Sequence, residues 1–119
     1  VTKHLPILFG NRFLLKQLLQ NLVSNALKFS HDKSEIVIFG EDHKKYTVLA
    51  VQDFGVGIKK KYQKEIFKPF LKLSSATSGS GLGLTFCKRV IKMHHGRIWC
   101  RSKKGKGSIF YFYVPKKPA

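Results

Sequence analysis

Acid is what this sequence has least of. Its 119 residues include 6 Asp and Glu against 23 Lys and Arg, a formal net charge of +17 with neutral histidine. A surface of that kind attracts phosphates, nucleic acid and acidic protein faces, with strong salt dependence. It also makes each lone carboxylate informative. Cysteine is scarce too: Cys87 and Cys100 are too few to staple a secreted scaffold, and both are expected as reduced, partly buried thiols. The five histidines are scattered and show no zinc-site spacing. A helix would splay the neighbours His94 and His95 about 100° apart, so surface or helix-end roles suit them better than metal ligation. No apolar run approaches the roughly 18 to 20 residues of a membrane-spanning helix. The opening "VTKHLPILFGN" has no charged start, apolar middle or cleavage site of a signal peptide, and the missing initial Met fits an excised piece of a longer chain.

What is present is the composition of one globular domain, 43% hydrophobic and 13% aromatic, long enough for one core but not two. "LPILF", Leu5 to Phe9, suits a short strand, and Asn11 suits the N-cap of a helix running to about Lys28. "EIVIFGE", Glu35 to Glu41, and "YTVLAVQD", Tyr46 to Asp53, read as a hairpin. "FGVGI" is a glycine-punctuated loop, and "KKKYQKEIFKPF" a short helix stopped by Pro69. The small, polar stretch Leu71 to Gly81 precedes a helical pattern from Leu82 to about His94. "GRIWCRS" and "GSIFYFYVP" then form a second hairpin around "KKGKG". This order predicts an α+β fold: a two-layer α/β sandwich whose mixed, mostly antiparallel sheet is covered on one face by about three helices.

Three stretches carry chemistry. In "QNLVSNALKFS", Asn21, Asn25 and Lys28 stand at i, i+4 and i+7, on one side of a helix. Asparagine is a mediocre helix former, so two of them one turn apart call for a reason beyond folding. In "DFGVG", Asp53 ends a strand. That is either an ordinary strand-ending turn or a site where the carboxylate accepts a ligand amino group while Gly55 and Gly57 let the backbone pass close to a flat ring. In "GSGLGL", Gly79, Gly81 and Gly83 enter a helix whose first N–H groups suit an anion. It is not a Walker A loop, since no Gly-Lys-Ser/Thr follows, and in a dinucleotide fingerprint the third glycine would stand where Leu84 does.

Taken in order, these motifs resemble those of the ATP-binding catalytic domain of sensor histidine kinases, in the superfamily that also holds gyrase, a heat-shock chaperone and mismatch-repair ATPases. "NLVSNALKFS" is similar to the N box, "DFGVG" to the first glycine box, "EIFKPF" to the F box, "GSGLGL" to the second glycine box and "GKGSIFYF" to the closing hairpin, nearly end to end over one domain, residues 1–119. The resemblance implies ATP held between the helices and a mobile lid, Leu71 to Ser80. It implies that Asn25 ligates Mg²⁺ through its amide oxygen, Asn21 supports the metal and phosphates, Lys28 and Lys72 reach phosphates, and Phe29 packs against the ribose or adenine. Asp53 would read the adenine amino group, with Gly55, Gly57 and Ile58 walling the ring. Phe67 and Phe70 would anchor the lid, and Gly79, Gly81, Leu82 and Gly83 would form its phosphate-binding end. Related ATPases carry a Glu general base where Asn21 stands, so hydrolysis by this domain alone is expected to be feeble.

The activity so implied is donation of the γ-phosphoryl group to a histidine on a separate dimerisation domain, with a response regulator receiver domain downstream. The domain itself is expected to be monomeric and cytoplasmic, with no membrane contact and no specific nucleic acid, whether or not its parent is membrane-anchored. Two rivals stand beside this. One is a degenerate nucleotide-binding scaffold without kinase activity. The other is a basic nucleic-acid binder, disfavoured because the cations are spread along the chain and the strand aromatics read mostly as core.

Overall fold

A computed structural model describes residues 5–30, 35–68 and 83–116. The first helix, α1, spans Arg12–Phe29. It starts where the sequence predicts: Asn11 Oδ1 accepts the Leu14 N–H at 3.0 Å. It ends at Ser30, whose N–H and hydroxyl both bond the Ala26 carbonyl. Leu15, Leu18, Leu22 and Ala26 recur at helical spacing and form its buried stripe.

The hairpin of β1 (Ile36–Asp42) and β2 (Tyr46–Asp53) follows, then two short 3₁₀ turns at Lys60–Tyr62 and Glu65–Phe67 in place of one short helix. The second helix, α2, covers Gly83–Met93, and β3 (Arg97–Lys103) and β4 (Gly107–Pro115) close the chain. Strand order is β1-β2-β4-β3, and all three pairings are antiparallel. Among the described residues the sheet is therefore antiparallel throughout, with α1, α2 and the 3₁₀ turns layered on one face.

Leu5 to Phe9 is not a strand. Pro6 lacks the N–H that a ladder needs, and its ring packs against the backbone at Gly40 of β1, where a side chain would collide with it. Leu5 and Leu8 are half-buried and pack against the core, while Ile7 and Phe9 are exposed.

The core joins the helical stripes to Leu49 and Val51 of β2, Ile98 and Cys100 of β3, and Phe110, Phe112 and Val114 of β4. Cys87 and Cys100 are free and buried, and burial pushes each thiol up to about 12. The other strand parity carries Trp99, Tyr111 and Tyr113 to the face opposite the helices, where Trp99 stacks on Tyr111 at 5.4 Å. The expectation that strand aromatics are mostly core is thus corrected: alternation divides them between two faces.

Both histidines after α2 do helix-end work. His95 takes a left-handed φ of 60°, and the bonds from His95 N–H to Lys92 and from Gly96 N–H to Ile91 form a Schellman cap. His94 donates from Nδ1 to the Val90 carbonyl at 2.7 Å and accepts the Asn11 N–H at Nε2 at 2.9 Å, tying the end of α2 to the start of α1. One defect remains in the core. The Thr47 hydroxyl is fully buried and finds no hydrogen-bond partner among the described residues. Thr47→Val keeps the shape and removes that group, so it should raise stability by about 1 kcal/mol in a denaturant titration.

Candidate functional site

The site is assembled where the loop after β2 meets the last turn of α1. Asp53 ends β2 with 3% of its surface exposed. Burial raises its pKa above the usual carboxylate value, while the N–H groups of Gly55 (3.0 Å to Oδ1) and Ser108 pull it partly back. A buried carboxylate held by backbone donors is a fixed acceptor, because its orientation is set before any ligand arrives.

The next residues fasten that strand end to α1. Val56 donates its N–H to the Phe29 carbonyl at 3.2 Å, and Gly55 lies flat on the same carbonyl, where a Cβ would have no room. Gly57, at φ +76°, also passes close to a carbonyl, that of Lys103, and the Val56 carbonyl accepts the Gly105 N–H at 2.7 Å. One short glycine loop thus touches the end of α1 and the β3–β4 turn together.

This brings Asp53, Gly55 and Gly57 beside the helical end that carries Asn25, Lys28 and Phe29. Asn25 is half-buried and Lys28 exposed. Among the described residues, no group of three His, Cys, Asp or Glu is placed to hold a metal ion. A divalent ion here would rest on the Asn25 amide oxygen, a hard donor that suits Mg²⁺ where a ligand's phosphates bring the charge, so the residues present fit that ion.

Asn21 has a second set of partners. Its Oδ1 accepts from Gln17 at 3.4 Å, and it lies near Cys87 of α2, whose thiol donates to the Leu18 carbonyl of α1 at 3.7 Å, so it also belongs to the seam between the two helices. Ile58 lies in the core, 6% exposed, its N–H held by Ser102 Oγ at 2.6 Å. Phe67 is core as well, edge-on to Phe110. Gly83 opens α2, and among the described residues nothing lies within 4 Å of a Cβ placed there. Phe70, Lys72, Gly79, Gly81, Leu82 and the expected lid lie outside the described residues.

Some positioning residues were not legible in the sequence. Ser102 Oγ accepts from Ile58 N–H, donates to the Gly107 carbonyl at 2.8 Å and accepts from the Ser108 hydroxyl at 2.7 Å. Gln63 bridges the carbonyls of Ile58 and Ser102 with one amide nitrogen. Thr85 Oγ1 donates to the Phe67 carbonyl at 3.0 Å, joining the first turn of α2 to the second 3₁₀ turn. None of these sits in a local pattern. Only the Gly-Ser pair at 107 and 108 carried a signal, as part of "GKGSIFYF".

Comparison with known proteins agrees with this geometry. The family model described as "Histidine kinase-, DNA gyrase B-, and HSP90-like ATPase" matches residues 10–118. The chain is 40% identical over 114 residues to the phytochrome-like protein Cph1 of a Synechocystis species, covering 93% of this chain and 15% of that protein. It is 41% identical over 116 residues to the adaptive-response sensory kinase SasA of Prochlorococcus marinus, covering 93% and 30%. The chain therefore spans less than a third of either curated relative. Among solved structures, the catalytic domain of histidine kinase ThkA superposes with a TM-score of 0.82 at 34% identity, covering 93% of this chain and 73% of that one. Full-length ShkA in complex with AMPPNP gives 0.84 at 27% identity, covering 97% and 24%.

Proposed function

This chain belongs to the histidine kinase-, DNA gyrase B- and HSP90-like ATPase family, as the catalytic domain of a histidine kinase, and from that premise we propose that it binds Mg-ATP between α1 and the loop after β2 and donates the γ-phosphoryl group to a histidine on a separate dimerisation domain. The observation that carries the reading is the fastening of the Asp53 strand end to the end of α1 through Gly55, Val56 and Phe29. It fixes the separation between the Asp53 carboxylate and the helix end that bears Asn25 and Lys28, which supports reading the first as the adenine acceptor and the second as the phosphate end.

In this reading the Asp53 carboxylate accepts the adenine amino group, and selectivity follows because a guanine carbonyl there would face the carboxylate unpaired. Gly55 and Gly57 leave the ring room. Lys28, and Lys72 further along, place point charges on the phosphates. Mg²⁺, when bound, offsets phosphate charge, and Asn25 is the residue that would hold it. An imidazole nitrogen of the acceptor attacks the γ-phosphorus as the bond to the β–γ bridging oxygen breaks, and ADP leaves with that electron pair. The protein's part is positioning and charge neutralisation. Asn21 cannot take a proton, and its amide oxygen already accepts from Gln17, so water is not activated and hydrolysis stays slow.

The wider assignment follows the same premise: a receiver domain downstream, a monomeric catalytic piece and a cytoplasmic setting. No helix among the described residues is long and apolar enough to cross a membrane. The test is calorimetric titration with a non-hydrolysable ATP analogue, with and without Mg²⁺. Magnesium should tighten binding, and Asn25→Ala should remove most of that gain, a loss of roughly tenfold or more, since loss of even an outer-shell partner of a metal costs about that. Magnesium-independent binding equal in both proteins would refute the metal assignment. Transfer of label from ATP to a separate acceptor domain tests the kinase step, and binding without transfer would favour the scaffold.

A further inference from the structure

Among the described residues the sheet ends at β3, whose outer edge no strand pairs. Along it runs a groove of about 770 Å³ between β3, α2 and the two 3₁₀ turns. Its floor is apolar, with Phe67, Ile91, Ile98 and Cys100 among the lining residues. Its rim is basic: seven of the fifteen described lining residues are Lys or Arg, and the single acid among them, Glu65, already pairs with Lys68 at 2.6 Å.

The backbone of the edge is available as well. Gly96 N–H bonds the Ile91 carbonyl and the Ser102 carbonyl accepts from Gln63, so the even-numbered residues of this strand turn their peptide groups away from β4. Ile98 and Cys100 lie between these two ends with the same parity. Their outward N–H and C=O groups find no partner among the described residues, and they face the groove.

Two arginines on β3 are already ordered. The Arg97 guanidinium lies 5.6 Å from the Trp99 ring centre, and that of Arg101 lies 5.8 Å from the Tyr111 ring centre. The whole chain has many lysines and few arginines, so two arginines and the sole tryptophan on one edge strand make a local signature. Arg, Trp and Tyr are the side chains that dominate protein–protein hot spots, whereas binding to a nucleic-acid backbone is served as well by lysine.

We propose that the outer edge of β3 is a docking site for an extended, acidic segment of a partner protein, which adds a fifth strand to the sheet and places its carboxylates against the basic rim. Main-chain hydrogen bonds to Ile98 and Cys100 give the register. The cations of α2, the 3₁₀ turns and β3 select an acidic sequence. The apolar floor takes alternate side chains.

The probe is a short acetylated peptide of alternating Glu and Val, titrated into the protein at low salt. Trp99, the only tryptophan, gives the fluorescence signal, and hydrogen exchange reads the Ile98 and Cys100 amides. The peptide is expected to bind and to slow exchange at those two amides. A version N-methylated along one edge keeps charge and composition but cannot form the ladder, and it should bind roughly tenfold more weakly or worse. Lys88→Glu with Lys92→Glu should weaken the parent peptide and leave binding of the ATP analogue unchanged. Equal binding of the methylated peptide would overturn the proposal, leaving only a charged film. Competition by an oligothymidylate that protects the same amides would assign the groove to nucleic acid instead. No binding at all would mean that the cations only guard the edge against pairing.

Discussion

Asp53→Asn should weaken binding of an ATP analogue by roughly 10- to 100-fold, the worth of a hydrogen bond to a charged group. The carboxylate is buried and held by the Gly55 and Ser108 N–H groups, and in the proposed reading it also accepts the adenine amino group. An asparagine replaces one acceptor oxygen with an NH₂ donor. Turned inward, that donor faces the Gly55 N–H; turned outward, it faces the adenine amino group. Either orientation sets donor against donor, so the variant should also lose much of its preference for adenine over guanine nucleotides. Calorimetry with both nucleotides measures each effect, and unchanged ATP affinity would sink the assignment of Asp53.

The same residue separates two pH dependences. Burial raises the Asp53 pKa in the folded chain above its value in the unfolded chain. The folded state then binds the proton more tightly, so this group's contribution to stability improves as pH falls through the window between the two values. Nucleotide binding needs the ionised form and should be lost over that same window, beginning above the usual carboxylate range. Stability and affinity therefore move in opposite directions with acid. Asp53→Asn should abolish both trends, seen by comparing denaturant midpoints and binding constants across mildly acidic pH.

Much of this was legible because the signals were local. Asn11 announced a cap by its type and position, and it caps. The β-branched and aromatic runs Tyr46 to Asp53 and Gly107 to Pro115 announced two strands, and their ends fall where expected. Leu5 to Phe9 failed because hydrophobic pattern reports burial, whereas a strand also needs N–H groups, and Pro6 interrupts them. Ser102 and Gln63 were out of reach for another reason. The bonds from Gln63 to Ser102 and from Ser102 to Ile58 cross 39 and 44 residues, and no spacing rule encodes a partner that far away. The glycine boxes lay in between. Their presence was readable, but which backbone each one approaches was not.

That difference among glycines gives the second large effect. Gly55→Ala would place a methyl group inside the Phe29 carbonyl, the group that accepts the Val56 N–H. Neither side can retreat. The loop is held by Asp53 in register with Ile36 and Ser108, and by the Gly105 bond to the Val56 carbonyl. The end of α1 is held by the buried Leu22 and Ala26. Overpacking plus one lost hydrogen bond should cost about 2–4 kcal/mol, lowering the melting temperature by roughly 10 °C or more. Where the variant remains folded, nucleotide affinity should fall too, because Asp53 and Asn25 no longer keep their separation. Gly83→Ala is the matched control: among the described residues nothing lies within 4 Å of the added methyl at the start of α2, so stability should hold or rise slightly. Thermal melts of the two variants decide the matter. A Gly55→Ala protein as stable as Gly83→Ala would mean that the loop is not fastened to α1, and the site would lose the fixed spacing on which nucleotide binding depends.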